Sequence, residues 1–219
     1  MQISQRAPIR IGIVLFESFS NHCLANAVEP LRAANTLAGA ERFRWLFTTP
    51  DGAPVISSSG LPVQPAEAFG REGAGDYLFV LPSYNFRSHD TPDMRRALRA
   101  AARRYGTLVG LDTGAWLIAA AGLLDGRAAT IHWDEFAAFA EAFPSVRARP
   151  ARSVADGDRL TCGGATAAFE LVTELIAGRC DPALAMNVGA LFLHGEWPHG
   201  GAPALAAGAR GRGDRAVAI

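Results

Sequence analysis

Residues 107–116, TLVGLDTGAW, constrain this chain more than any other stretch. Thr107-Leu108-Val109-Gly110-Leu111 reads as a short buried strand, and residues 114–121 (GAWLIAAA) read as a helix that starts at once. Asp112 stands on the corner, with Gly110 and Gly114 two residues to either side. This is the spacing of a nucleophile elbow, in which small flanking residues let strand and helix approach while the central side chain is held up in a tight turn. In an enzyme that position normally holds Ser or Cys; here it holds Asp. The helix N-terminus favours a carboxylate, so Asp112 is expected to be charged. The same residues also read as an ordinary N-cap, because Asp precedes Thr-Gly at a helix start. Spacing alone leaves cap and functional elbow about equally open.

The rest of the chain repeats the alternation. An apolar run at 9–16 predicts a first strand, and the 3.6-residue period of Leu24, Ala27, Val28, Leu31 and Ala34 predicts a helix over 21–37. FRWLFT at 43–48 is a second strand. Short runs at 55–57 and 61–63 around Ser59-Gly60 predict a small hairpin, and DYLFVL at 76–81 a third buried strand ending at Pro82. A helix is expected over 91–105, with Thr91 as cap and Pro92 in its first turn, and its arginines read as a solvated face. After the elbow come a turn at Asp125-Gly126, a strand near 129–131, a helix over 134–143, strands at 146–149 and 159–162, and helices over 165–177 and 181–193. Several strands are apolar end to end, which predicts a parallel sheet covered on both faces. Ligands of such sheets sit beyond the carboxyl ends of the strands. Asp112, residues 17–20 and residues 83–86 all fall at such ends.

Composition narrows the function classes. Hydrophobic residues make up 49% of the 219, enough for a sizeable core. Lys+Arg and Asp+Glu are both 21, so no global basic bias points to nucleic acid. No apolar run approaches the roughly 18 residues of a membrane span, and no signal peptide is evident. Cys23, Cys162 and Cys180 lack metal or disulfide spacing, so no metal and no cofactor are expected and a reducing cytoplasm is the simplest compartment. Residues 195–219 are rich in Gly, Ala and Arg without apolar period and read as a flexible tail.

Four segments carry a family resemblance: NAVEPLRAANTLAG, YLFVLPS, GLDTGAWLIAAAGLLDGRAATIHWDE and DGDRLTCGGATAAFELVTELIA. Together they resemble the DJ-1/PfpI-like (type 1 glutamine-amidotransferase-like) superfamily, and more narrowly the N-terminal sensor domain of GlxA-type AraC-family transcriptional regulators. The resemblance implies a flavodoxin-like three-layer α/β sandwich with a mainly parallel sheet, spanning residues 9–194 as a ligand-sensing domain, and a homodimer. It also implies two departures. The superfamily's enzymes carry a Cys nucleophile at the elbow, and Asp112 cannot do thiol chemistry. Regulators of this type continue into a helix-turn-helix DNA-binding region, for which residues 195–219 leave no room; DNA contact is expected only through a domain absent from this chain.

His132 matches the superfamily's T-x-H segment, twenty residues after Asp112, so the resemblance implies that the two are neighbours. A pocket holding Asp112 and Thr113 with Trp116, His132 and Trp133 would combine an anion with aromatic faces, which suits a cationic ligand. Asn21, His22 and Ser83 are further candidates at the strand ends, and Glu17 a weaker one. Trp116 on a core helix reads equally as packing against the sheet. Regulators that this chain resembles are associated with arginine, glycine betaine and carnitine, so the expected partner is a small cationic or zwitterionic amino-acid-like metabolite and no catalytic residue is expected. The alternative is a hydrolase or lyase with Asp112 as nucleophile and His132 as base, using the N–H of Thr113 and a loop near Ser83 as oxyanion donors.

Overall fold

The computed structural model describes residues 7–192. Its first half contains β1 (Ile9–Leu15), α1 (Asn21–Ala38), β2 (Phe43–Thr49), the short strands β3 (Val55–Ile56), β4 (Pro62–Val63) and β5 (Glu67–Ala68), and β6 (Gly75–Leu81). Then come α2 (Pro92–Ala101), β7 (Tyr105–Leu111), α3 (Gly114–Ala120), β8 (Ala128–Ala129), α4 (Phe136–Ala142) and β9 (Arg147–Ala148). The hairpin β10 (Ser153–Asp156) and β11 (Arg159–Cys162) precedes α5 (Ala165–Arg179) and α6 (Pro182–Leu191). Two 3-10 turns, Phe86–His89 and Trp133–Glu135, flank the elbow region.

Seven strands form one sheet in the order β10-β11-β7-β6-β1-β2-β5, parallel except for the β10–β11 pair. Side chains alternate between its faces, as the two-residue period of a strand requires. Ile11, Ile13 and Leu15 of β1 join Tyr77, Phe79 and Leu81 of β6 and Val109 and Leu111 of β7 in one core, covered by α1, α5 and α6. Val14, Leu78, Val80 and Leu108 point the other way, into a second core covered by α2, α3 and α4. The protein is thus a flavodoxin-like α/β sandwich. Because α1 and α2 lie on opposite faces, the winding reverses at β1 and β6, and a crevice opens beyond their carboxyl ends.

Local signals set most boundaries. Ser20 caps α1 by accepting the N–H of Cys23 at 3.1 Å, and Gly39 ends it in a left-handed conformation, φ 59°. Thr91 caps α2 by accepting the N–H of Met94.

Four expectations need correction. The helix predicted over 91–105 stops at Ala101, and Tyr105 begins β7 instead. Its ring packs where a Cβ on Gly12 or Gly75 would lie 2.3 or 2.6 Å away, so those glycines admit it to the sheet. The arginines of this stretch are not merely solvated: Arg95 pairs with Asp90, and Arg104 bonds the buried Glu72 and the carbonyls of Gly70 and Glu72. The strand expected near 129–131 is two residues long and pairs with β9 outside the main sheet. Strands β5 and β10 were not predicted; both are short edge strands held by a single partner, so neither has a two-faced apolar pattern to show. The tail at 195–219 and the end of the proposed domain at 193–194 lie outside the described residues.

Candidate functional site

The elbow forms, and its central residue is strained. Asp112 has φ 59°, the left-handed region that L-residues other than Asn and Asp seldom occupy. Close packing fixes the flanks: a Cβ on Gly114 would lie 2.1 Å from the carbonyl oxygen of Val80, and one on Gly110 2.8 Å from the N of Ala115. The cap position of α3 falls to Thr113, not Asp112. The Thr113 hydroxyl is spent on the carbonyl of Ser83, donating at 2.7 Å, which ties the end of β7 to the loop after β6. Spacing left the cap and the elbow open; the backbone gives the cap position to Thr113 and the corner to Asp112.

Asp112, Thr113, Ser83 and His132 line one cleft of about 620 Å³ beyond the ends of β6 and β7. Asn85 lines it too, and Ser83 and Asn85 also have positive φ, 52° and 53°. Three of the four non-glycine residues with positive φ among the described residues therefore meet at this cleft. Conformations of this kind cost about 1–3 kcal/mol each and gather at functional sites.

Burial raises the Asp112 carboxyl above its ordinary range, and the Ser83 side chain and the charge of His132 pull it partway back. Helix-dipole reasoning from sequence expected the opposite net effect; desolvation outweighs it here. The Ser83 hydroxyl is buried and makes no hydrogen bond of normal geometry among the described residues. His132 donates its backbone N–H to the Asp112 carbonyl at 3.1 Å. Cys162 is buried under the elbow, its thiol directed at the Gly164 carbonyl at 3.9 Å, and burial pushes it up to about 12. Cys23, fully buried nearby, is also raised by burial.

Several predicted residues go elsewhere. Trp116 does not line the cleft. It sits in an aromatic cluster with Phe86 (5.3 Å between centroids), Phe143 (5.0 Å) and Phe139 (6.3 Å), and the guanidinium of Arg87 lies 4.5 Å from its ring. Trp133 is 77% exposed and faces a neighbouring groove with Phe136, Pro150 and Gly164. Its ring leans on His132, 5.7 Å between centroids. Asn21 and His22 open α1, and neither lines the cleft. Glu17 is committed to the N–H of Ile56 at 3.0 Å.

Sequence reasoning missed Arg87, Asp134 and Glu135, which also line the cleft. Arg87 donates twice to Glu135, at 3.2 and 2.5 Å, joining the two 3-10 turns across 48 residues of sequence. Of the lining residues, three are carboxylates (Asp112, Asp134, Glu135) and one is a guanidinium. The lining thus holds more acidic than basic groups, and its elbow carries a carboxylate. Among the described residues no group of three or more His, Cys, Asp or Glu side chains is placed to hold a metal ion, and no helix is long and apolar enough to cross a membrane.

No protein-family model matches the chain. It is 39% identical over 183 residues to the HTH-type transcriptional regulator CdhR of Pseudomonas aeruginosa, covering 84% of this chain and 54% of that protein. It is 38% identical over 195 residues to the HTH-type transcriptional regulator GlxA of Rhizobium meliloti, covering 89% and 60%. The chain thus spans little more than half the length of these curated relatives. An enzyme is also similar, the isonitrile hydratase of Pseudomonas putida, at 35% over 131 residues, covering 57% of this chain and 54% of that one. Among solved structures, an AraC family transcriptional regulator from Pseudomonas putida superposes with a TM-score of 0.74 at 29% identity, over 84% of this chain and all of the other. A ThiJ/PfpI family protein from Pseudomonas syringae shares the fold, with a TM-score of 0.73 at 21% identity, covering 93% and 80%. By sequence, the homologues of this chain are HTH-type transcriptional regulators of the GlxA and CdhR kind, and by structure its neighbours include an AraC family regulator and a ThiJ/PfpI family protein that shares its fold.

Proposed function

We propose that this chain is the ligand-sensing domain of a transcriptional regulator, binding a small cationic or zwitterionic amino-acid-like nitrogen compound in the cleft at Asp112. One observation carries the reading: a carboxylate occupies the strained elbow of a cleft whose lining has three carboxylates and one guanidinium. Strained backbone at that corner positions a side chain, and a carboxylate there suits a positive centre. The similarity to transcriptional regulators supports the sensing role. In this reading DNA contact belongs to a separate domain, the chain works as a homodimer in the cytoplasm, and the ligand acts by favouring one arrangement over another.

A second reading is a hydrolase or lyase with Asp112 as nucleophile and His132 as base. It is favoured by the presence of both residues in one cleft and by the likeness to an enzyme.

Thermal-shift titrations of arginine, glycine betaine, carnitine and choline separate the two, with wild type and Asp112→Asn side by side. A ligand at a hundredfold excess over its Kd stabilises by about 2.7 kcal/mol. The sensor reading expects a shift in wild type that Asp112→Asn loses. Equal shifts in both, or none in either, overturn it and send the chain to a panel of ester and amide substrates.

A further inference from the structure

Arg87 is the one guanidinium among the groups that line the cleft, and nothing in the cation-binding reading requires it. Its surroundings are specific. The guanidinium lies 4.5 Å from the ring centroids of both Phe86 and Trp116, so two aromatic faces fix its position. Those rings meet edge to face and are backed by Phe143 and Phe139. Two of its N–H groups go to Glu135. A guanidinium carries five N–H donors in a planar fork. The others find no acceptor among the described residues, and the side chain remains half exposed on the cleft wall.

A guanidinium held rigid by stacking, with spare donors facing a cavity, is preorganised for a planar two-oxygen acceptor. The opposite requirement is met in the same cleft by Asp112 and Asp134, which suit a positive centre. We infer that Arg87 reads the carboxylate of the ligand, so that the cleft selects zwitterions carrying both an ammonium or guanidinium group and a carboxylate over simple cations. This rests on the sensor reading above and names its substrate class. Because Glu135 already shares the fork, the ligand carboxylate competes with Glu135 for Arg87. Binding therefore loosens the one salt bridge described between the turns Phe86–His89 and Trp133–Glu135.

The test uses two matched pairs of probes that differ by a carboxylate: glycine betaine against choline, and arginine against agmatine. Calorimetric titration of the full chain gives the affinity ratio within each pair. In wild type the carboxylate member of at least one pair binds about tenfold or more tighter, the scale of one charge-assisted hydrogen bond. In Arg87→Met that ratio falls to near one while the simple cation still binds; in Arg87→Lys part of it returns. Glu135→Gln removes the competitor and leaves Arg87 in place, so the ratio rises; this variant decides the matter should Arg87→Met fail to fold. A ratio unchanged in Arg87→Met, or lowered in Glu135→Gln, overturns the assignment of Arg87 and leaves the cation site standing. Absence of binding by all four probes overturns both.

Discussion

His132 and Asp112 are joined through the backbone: the N–H of His132 donates to the carbonyl of Asp112 at 3.1 Å. The bond brings the segment after β8 onto the corner where β7 turns into α3. It keeps the two residues neighbours, and both line one cleft. The pair is therefore a fixed feature of the backbone.

Asp112 should tolerate only residues at ease with positive φ. Asp112→Asn keeps a side chain suited to φ 59° and removes a carboxyl that burial disfavours in its charged form. Its melting temperature at neutral pH is expected to equal or exceed that of wild type. Asp112→Val places a β-branched residue there and should cost about 1–3 kcal/mol. Urea unfolding followed by circular dichroism measures both. A Val variant as stable as wild type would mean that the corner is not strained.

The raised Asp112 carboxyl sets a pH dependence whose sign is fixed. Its folded pKa lies above the unfolded value of about 3.9, so the folded state holds the proton more tightly. That contribution is fully present below the unfolded pKa and is lost as pH rises through the folded one. Wild type should lose stability relative to Asp112→Asn from about pH 4 upward until the carboxyl is fully ionised, with no further change beyond. Affinity for a cationic ligand should rise over the same window. Denaturant titrations across pH for the two proteins give the first curve; a gap of opposite slope would mean that the folded protein stabilises the carboxylate.

Gly114→Ala opposes two effects. Helix propensity alone favours Ala by about 1 kcal/mol. The added Cβ, however, would stand 2.1 Å from the backbone oxygen of Val80, and backbone cannot swing away as a side chain can. The clash should win, with a loss of about 1–3 kcal/mol or more. A lowered urea midpoint confirms it; a raised one shows that β6 can move aside.

Thiol reactivity should divide the three cysteines. Cys23 and Cys162 are buried and burial raises both thiols, Cys162 to about 12, whereas Cys180 is exposed. Maleimide at neutral pH should add one label to the native protein, at Cys180, and three after unfolding. Peptide mass spectrometry locates them. Rapid native labelling of Cys162 would mean that the floor under the elbow opens.

What the sequence determined by itself was whatever neighbouring residues settle among themselves. The alternation of β1, β6 and β7, the capped start of α2, and the glycine-bracketed corner at Asp112 were all legible. Each depends on periodicity or on backbone sterics within a few residues. Tertiary structure decided what depends on partners far along the chain. Trp116 was as good a candidate for a ligand-facing ring as for packing until the fold set Phe86, Phe143 and Arg87 around it. Trp133, two residues beyond Ile131 of the core, turned outward. Arg87 and Glu135 gave no local sign of their pairing, because no spacing rule relates side chains 48 residues apart. Nor did the sequence show that the carboxyl of Asp112 is raised. A helix start nearby argues for charge, whereas desolvation depends on how closely β6, α3 and the segment after β8 converge on it, and only the folded chain sets that.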